Sequence, residues 1–395
     1  MSEQVRDVEI PESDEQLFTE TPDTEPEPYP RGVGKELEVF TTPIDPDVQT
    51  LLNQLDEKTL ILNPDFQRLS VWQRPRQSRL IESLLLNIPI PPCFFAEDPE
   101  GTRVVVDGQQ RLRAIEEFRK GQYRLAGLQV RSDLNGKRWV DLDPKDARKI
   151  VRRVLRTVVI SHYSDPDIKF EIFIRLNTGG VPLTEQEIRN AIYRGPFNRL
   201  LDRLAHRPAF LQILRRKEPD NRLRHHELVL RYFAVQDALS DFKPPLKRLL
   251  NTYMEQKRHL LEDEAGSFET RFDEAMAHVI AVFGENAFRR YSRVEEDLEG
   301  HEPWEGYEPV ISKAVYDLQM IGLCDVPLGE LERRGGEIRK AFQSLSVGSE
   351  DFIDLLSRAT DHRSRFYKRM RLWGQVLTSL GIEVPFVGQL PSSEA

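Results

Sequence analysis

A short polar stretch in the first third of the chain carries residue types that suit phosphate chemistry. In order, it contains Asp107, Gly108, Gln109, Gln110 and Arg111. An arginine guanidinium presents a rigid fork of donors to phosphate oxygens, and a carboxylate suits a divalent cation or orients a water molecule. The stretch therefore predicts either a nucleotide-phosphate site or a structural turn. In the second case Arg111 pairs with a nearby acid and the glutamines are solvated.

The elements predicted around this stretch place it at the start of a helix. Residues 104–106 are three valines, which favour a short buried strand. Gly108 accepts the backbone angles of a tight turn, and from Gln109 to about Lys120 the apolar residues recur at helical spacing. A helix N-terminus offers unpaired N–H groups and a partial positive charge, so this position suits an anion.

Three motifs, in order along the chain, resemble those of one known family. DGQQRLRA at residues 107–114 resembles the signature of the ParB/sulfiredoxin-like superfamily, specifically the domain of unknown function 262 family in the S half of GmrSD-type restriction enzymes. It is also similar to the GxRRxRA phosphate motif of ParB-type CTPases, with Gln in place of the first Arg. Residues 63–72 resemble the family's P-x-F/Y-Q-R-x-x-x-W segment, and residues 173–184 resemble its N-x-G-x-x-L-T/S segment.

The resemblance implies a fold, an activity and a set of site residues. The fold is α+β, with a small mixed-sheet ParB/sulfiredoxin-like domain followed by a mostly α-helical C-terminal domain. The activity is NTP hydrolysis with Mg²⁺, which rests on positioning and charge neutralisation. In the implied catalytic roles, Asp107 assists the metal or a water, and Gln110 and Arg111 hold phosphates. The implied nucleotide-binding residues are Gln67, Arg68, Gly108, Gln109, Arg113 and Asn177.

Two parts of this assignment have a structural alternative. Pro64 predicts an extended or turn conformation around Gln67 and Arg68. The resemblance implies that these two side chains face the nucleotide pocket. In the alternative, Arg68 stacks with Trp72 at the surface. Asn177 precedes a glycine pair and suits a ribose or a base, whereas the alternative for that turn is a plain connector between two helices.

Length and charge predict several domains and an unusual N-terminus. With 395 residues, 39% of them hydrophobic and 31% charged, the chain is too long for one ordinary core and has the composition of a globular protein. Residues 1–50 carry 14 acidic and 3 basic side chains, a net charge of −11, whereas the remainder carries 53 basic and 51 acidic. We predict an acidic disordered leader at residues 1–35, a ParB-like domain at 36–200 and an all-helical domain at 201–395. The leader is either solvated or an acidic mimic that covers a basic groove or docks on a partner.

A basic run follows the central helix. Cations at residues 145–153 alternate with Ile150 and Val151, as on a helix with one buried face, and this helix is predicted to end near Arg156. Such a face either follows a nucleic-acid backbone or is simply solvated. The candidate nucleic-acid-binding residues are Arg148, Lys149, Arg152 and Arg153.

The second half of the chain predicts almost continuous helix, including helices over residues 268–291 and 309–320. His225 and His226 are adjacent and point in different directions on a helix, so we interpret them as structural or solvent-facing rather than as ligands of one metal. The pair Asp361-His362 precedes a basic stretch with no later histidine. It predicts a helix start rather than part of an HNH nuclease domain.

Three functions remain open from the sequence. The first is a cytoplasmic nucleotide-binding and NTP-hydrolysing component of a restriction or antiphage defence system, without its own HNH nuclease domain; its partners would be a nucleotide, DNA and a separate nuclease subunit. The second is a metal-dependent ParB-like DNA nuclease, for which Asp65 and Asp107 are the visible carboxylates. The third is a non-catalytic, nucleotide-gated DNA- or protein-binding module. The sequence has no Walker loop GxxxxGKS/T, no membrane-spanning run and no signal-peptide core, and its two cysteines form no zinc signature.

Overall fold

The chain forms two compact units, which are described in turn. The computed structural model describes Phe18 and residues 39–62, 72–164, 166–176, 183–294 and 304–391. The first unit spans Gly34–Ile192, and the second contains Phe18 together with Tyr193–Ala395.

The first unit is built on a mixed β-sheet. Its strands are β1 (Thr41–Ile44), β2 (Leu60–Ile61), β3 (Cys93–Glu97), β4 (Arg103–Asp107) and β5 (Thr157–Ile160). They lie in the order β1-β5-β3-β4-β2; β1–β5 and β3–β4 are antiparallel, whereas β3–β5 and β2–β4 are parallel. Cys93 pairs with Thr157, and Phe94 pairs with Asp107. The starts of β3 and β5 and the end of β4 therefore meet at one end of the sheet.

Helices cover both faces of this sheet. They are α1 (Val48–Asp56), α2 (Arg74–Leu86), α3 (Gln109–Arg119), α4 (Pro144–Val151), α5 (Pro166–Leu176) and α6 (Glu185–Ile192). Successive side chains of a strand point to opposite faces. Val105 accordingly joins the core formed with α1 to α4, whereas Val104 and Val106 join the core formed with α5 and α6. Burial from both sides explains why β4 is a continuous run of valines rather than an alternating strand.

Local sequence signals fix the starts of several of these helices. The Asp47 side chain accepts a hydrogen bond from the Thr50 amide at 2.8 Å and so caps α1. At α6, Thr184 and Glu187 form a reciprocal capping box, in which each side chain accepts from the other's backbone N–H. These contacts satisfy N–H groups that a helix leaves unpaired at its first turn.

The described residues of the second unit are mostly helical and include a β-hairpin. Its elements are α7 (Pro196–Ala205), α8 (Pro208–Leu214), α9 (Arg224–Asp237), α10 (Leu246–Lys257), α11 (Glu262–Phe283), β6 (Arg289–Val294), β7 (Trp304–Ile311), α12 (Lys313–Gly322), α13 (Leu328–Gly348), α14 (Glu350–Ser357), α15 (Arg363–Ser379) and α16 (Phe386–Gln389). Together with the mixed sheet of the first unit, this arrangement confirms the predicted α+β class with a mostly α-helical C-terminal region.

The hairpin corrects the expectation that residues 201–395 are all helical. β6 and β7 are antiparallel, and they occupy parts of the two segments, 268–291 and 309–320, that the pattern predicted as helix. Arg290 forms an ion pair across the hairpin with Glu308, and Tyr291 donates to Glu305. Such cross-strand pairs stabilise a hairpin, but the paired residues lie far apart in sequence. A search for helical periodicity among neighbouring residues therefore does not detect them.

The predicted end of the basic helix is also corrected. α4 ends at Val151, more than one helical turn before Arg156. Val154 forms an isolated antiparallel bridge with Asp47, and the Leu155 amide donates to the Pro46 carbonyl at 2.9 Å. Pairing with the segment before α1 therefore replaces the helical hydrogen bonds.

Phe18 is the one described residue of the predicted acidic leader, whose disorder otherwise falls outside the described residues. Phe18 is buried, forms an isolated parallel bridge with Ile311 and places its ring 6.0 Å from the ring of His225. His225 and His226 are themselves buried, and His226 contacts Asp202 at 3.1 Å. The histidine pair is thus structural rather than solvent-facing.

In the part of the chain that the structure describes, no helix has both the length and the apolar character needed to cross a membrane.

Candidate functional site

Residues 107–111 form a sharp connection between a buried strand and a helix, which we call the glycine turn. β4 ends at Asp107, Gly108 adopts φ 101° in the left-handed region, and α3 begins at Gln109. Among the described residues, no side chain caps this helix. Its first N–H groups therefore point away from the helix without a side-chain acceptor at the N-cap position. The predicted strand, turn and helix are all present at the predicted positions.

Glycine is required at this turn for two reasons. A positive φ strains any residue with a Cβ atom. In addition, a Cβ at position 108 would lie 2.6 Å from the Cys93 Sγ, closer than such atoms approach. Cys93 is buried at the start of β3, so the thiol forms the floor of the turn. Burial raises the pKa of Cys93 to about 11; to a smaller extent, the charge of Arg111 lowers this pKa and the charge of Asp107 raises it. The thiol is therefore neutral at physiological pH.

Arg111 is held by three acceptors within the same unit. Its guanidinium donates to the Asp107 carboxylate one turn earlier and to the backbone carbonyls of Pro91 and Pro92. The arginine side chain is 11% exposed, whereas the Asp107 carboxylate is 39% exposed. In this conformation Arg111 joins the glycine turn to the segment before β3, and Asp107 is the more accessible of the two. The pairing with a nearby acid, one of the two alternatives from the sequence, is the arrangement observed.

The two glutamines make different contacts. Gln109 is 7% exposed; its Nε2 donates to the Val105 carbonyl at 3.1 Å, while its buried Oε1 has no hydrogen-bond partner among the described residues. The Gln110 Oε1 accepts from the Trp72 amide at 3.3 Å. The structural alternative, in which the glutamines are solvated, does not hold for Gln109, which is buried. Its Oε1 is an acceptor inside the turn without a donor among the described residues.

Of the other predicted nucleotide-binding residues, the structure describes Arg113. Arg113 is half-buried on the second turn of α3 and forms no ion pair with any described residue. The predictions for Gln67, Arg68 and Asn177 lie outside the described residues. Trp72 is partly buried, and the guanidinium of Arg76 stacks on its ring at 4.4 Å.

The predicted nucleic-acid-binding residues divide into two groups. Arg148, Lys149 and Arg152 are exposed on α4 and at its C-terminus. Arg153 is half-buried, and its Nε donates to the Leu84 carbonyl at 3.2 Å. Arg153 therefore anchors the end of α4 to α2 and does not extend the exposed basic face.

Sequence reasoning missed three contributors to the glycine turn. Cys93 forms its floor, and the carbonyls of Pro91 and Pro92 receive Arg111. The consecutive prolines carried a usable signal, because proline removes a backbone donor but leaves its carbonyl as an acceptor. The position of Cys93 under Gly108 depends on the pairing of β3 with β4 and has no local signature.

The described residues contain no group of side chains suited to a metal ion, and the Asp361-His362 pair lies at the start of a helix. Within the described ranges, no cluster of three or more His, Cys, Asp or Glu side chains could hold a metal ion; Asp65 is outside those ranges. His362 is the N-cap of α15 and Asp361 forms an ion pair with Arg231, so this pair begins a helix as predicted.

The fold and the turn together define a class of domain. It has a small mixed sheet covered by helices on both faces, and a helix leaves the sheet through a tight glycine connection that carries an acid and an arginine. Residues 48–194 match the family model described as the GmrSD restriction endonuclease, N-terminal domain. This match agrees with the resemblance to the GmrSD-type N-terminal domain that the motifs had indicated. The match indicates a component of a restriction or defence system. No curated protein matches the chain.

Proposed function

We propose that this chain is the nucleotide-dependent component of its restriction system and that the glycine turn binds and hydrolyses a nucleoside triphosphate. The observation that carries the proposal is the uncapped N-terminus of α3 beside an accessible carboxylate, Asp107. Backbone N–H groups and the helix dipole favour a phosphate there. The match of residues 48–194 to the GmrSD N-terminal domain model supports a defence role. As part of the proposal, we expect DNA and a separate nuclease subunit to be its partners.

The buried side chains of the turn favour a ligand that also offers donors. The unpaired Gln109 Oε1 is an acceptor, so it suits a ribose hydroxyl, a base amino group or a metal-bound water rather than a phosphate oxygen. A buried acceptor without a partner costs about 1–3 kcal/mol. A nucleotide that supplies this donor would bind more tightly by satisfying it.

The residues present fit a magnesium-bound triphosphate. Asp107 offers hard carboxylate oxygens at 39% exposure, which Mg²⁺ prefers as one or two protein ligands beside phosphate oxygens. When bound, the cation would neutralise charge on the phosphates. Arg111 would orient Asp107 through their hydrogen bond and contribute positive charge to the turn, while Gln110 holds the Trp72 amide beside it.

The test is phosphate release from each of the four NTPs with Mg²⁺, with and without duplex DNA, for the wild type and Asp107→Asn. Asparagine keeps an oxygen that Arg111 can bond but removes the negative charge. We expect turnover of at least one NTP by the wild type and a loss of about a hundredfold or more in the variant. Stimulation by DNA would identify a restriction sensor.

The matched control is Glu97→Gln. Glu97 accepts from Arg103 at 3.0 Å, so it forms a carboxylate–arginine pair at the opposite end of β4 from Asp107. We expect this variant to retain wild-type turnover. Nucleotide binding by calorimetry without turnover would support the nucleotide-gated module instead, and metal-dependent DNA cleavage lost in Asp107→Asn would support the nuclease. Absence of binding by all four NTPs would contradict the proposal.

A further inference from the structure

The outer face of α4 is uniformly positive. Lys145, Arg148, Lys149 and Arg152 are all exposed, and their spacing of three, one and three residues places them on one side of a helix. At about 1.5 Å of rise per residue, the row is about 10 Å long. We call these four residues the basic row.

Packing fixes which way this face points. Ile150 is fully buried in the core shared with α1 and α2, and Ala147 packs against the same core. Beyond the helix, Arg153 donates to the Leu84 carbonyl, and its own carbonyl accepts from the Val48 amide at 2.9 Å. With both the inner face and the C-terminal end held, the basic row stays directed outward.

Little of the charge on the row is neutralised within the unit. The one acid inside the helix, Asp146, is mostly buried and takes Arg131 at 2.8 Å and Lys149 at 3.6 Å. The hydrogen bond from Arg131 is the main reason that the pKa of Asp146 is lowered. Lys145 and Arg148 form no ion pair with any described residue. The exposed Asp143 lies at the N-cap, where its carboxylate accepts from the Lys145 amide at 2.7 Å.

The row leads to the end of the sheet that carries the glycine turn. The carbonyl of Arg156, directly before β5, accepts from the Cys93 amide at 2.9 Å, and the Cys93 side chain lies beneath Gly108. Strand β3 separates β5 from β4, so the start of β5 is about two strand spacings, about 10 Å, from Asp107. A second exposed arginine, Arg156 itself, lies on this path and pairs with Asp45 at 3.2 Å.

We propose that the basic row binds the phosphodiester backbone of a nucleic acid. An outward line of cations with few internal partners neutralises successive phosphates, whereas a protein partner would require apolar anchors that this face of α4 lacks among its described residues. Contacts between the basic row and phosphates depend on charge and do not distinguish base sequences. Nucleic-acid binding at the basic row requires neither nucleotide binding nor turnover at the glycine turn.

The test measures affinity by fluorescence anisotropy for duplex DNA, duplex RNA and single-stranded DNA between 50 and 200 mM salt, without nucleotide. The variant is the double charge reversal Arg148→Glu/Arg152→Glu. We expect binding at least about tenfold weaker at low salt, with the slope of log K against log salt reduced by about one for each arginine. A comparison of the three probes identifies which nucleic acid the row accepts.

The matched control is Arg199→Glu/Lys340→Glu in the second unit. Both residues are exposed on helices without an ion pair to any described residue, and the change in net charge is the same. We expect this control to bind nucleic acid like the wild type. Equal loss in both double variants, or wild-type binding by Arg148→Glu/Arg152→Glu, would overturn the proposal. Calorimetry of nucleotide binding by each variant keeps this outcome separate from failure of the nucleotide site.

Discussion

At the scale of single residues, Gly108 and Cys93 determine the shape of the glycine turn. We predict that Gly108→Ala lowers the free energy of unfolding by about 1–3 kcal/mol. Alanine is strained in the left-handed backbone conformation, and its Cβ would lie 2.6 Å from the Cys93 Sγ. Chemical denaturation followed by circular dichroism measures the change. In the proposed function, the same variant also loses nucleotide affinity because the start of α3 moves.

Gly101 provides the control for this variant. It has φ 83°, but a Cβ there meets nothing within 4 Å. Gly101→Ala therefore carries only the conformational cost, and the difference between the two variants reports the contact with Cys93. Adding Cys93→Ala to Gly108→Ala should recover part of the loss; equal stability of the two alanine variants would contradict the role of Cys93.

The thiol of Cys93 should be unreactive in the folded protein. Burial raises its pKa from 9.0 to about 11, so its thiolate fraction at pH 8 is about a hundredfold lower than that of an unperturbed thiol. In a Cys324→Ala background, we expect iodoacetamide to alkylate the native protein at least that much more slowly than the unfolded chain, as measured by mass spectrometry. Rapid native alkylation would contradict the buried position.

The same shift has a defined effect on stability. The folded state holds the proton more tightly than the unfolded state, so the contribution of Cys93 is fully present below about pH 9 and declines as the pH rises from about 9 to about 11. The pH dependence of the difference between wild type and Cys93→Ser reports this decline.

At the scale of elements, Arg111 connects α3, β4 and the segment before β3. We predict that Arg111→Ala destabilises the first unit by about 2–3 kcal/mol, because two backbone carbonyls and the Asp107 carboxylate lose their donor together. Equilibrium unfolding in urea measures this. If Arg111→Ala loses nucleotide binding, a stability measurement on the same variant is needed to distinguish loss of the site from unfolding of the first unit.

Arg111→Lys separates charge from geometry. Lysine keeps the positive charge but lacks the planar fork that reaches several acceptors. We expect the stability of Arg111→Lys to lie between those of the wild type and Arg111→Ala. If Arg111 mainly positions Asp107, the NTP turnover of Arg111→Lys should be closer to that of Arg111→Ala than to that of the wild type. Wild-type stability for Arg111→Ala would show that the segment before β3 is held without it.

At the scale of the second unit, a buried charge network joins three helices. Asp317 of α12 accepts from Arg231 of α9 at 2.6 and 2.7 Å and from Arg369 of α15 at 3.0 Å. All three side chains are buried. Burial lowers the pKa of Arg369 to about 10, although Asp317 opposes the change. Burial also acts to lower the pKa of Arg231, but the Asp317 and Asp361 carboxylates outweigh it and raise that pKa, so both arginines stay charged at neutral pH. The basic stretch predicted on α15 therefore uses Arg369 inside the unit rather than at the surface.

We predict that Asp317→Ala destabilises the second unit by about 3–5 kcal/mol, because it leaves two buried guanidinium groups without their shared carboxylate. Asp361→Ala is the control: Asp361 contacts Arg231 at 2.8 Å but its side chain is 51% exposed, and Arg231 keeps its two bonds to Asp317. Thermal unfolding should show a much smaller loss for this control. Similar losses in the two variants would contradict the central role of Asp317.

The parts that could be predicted from the sequence share a local cause. Three valines, one glycine and a helical apolar pattern define β4, the turn and α3 through contacts between near neighbours. The resemblance that the family model matches at residues 48–194 was carried by motifs of the same kind. The hairpin of β6 and β7 was missed, since its stabilising pairs, such as Arg290 with Glu308, lie far apart in sequence.

The sequence by itself determined which residues stand at the glycine turn and which cations follow each other on α4. Propensity and periodicity depend on neighbours along the chain, and these are visible in any sequence. Only the tertiary structure decided what those residues contact. The pairing of β3 with β4 brings Cys93 beneath Gly108 and the proline carbonyls to Arg111, and the core beneath Ile150 directs the basic row outward. Such contacts depend on the folding of the whole sheet, because strand pairing and core packing join segments that no local pattern connects.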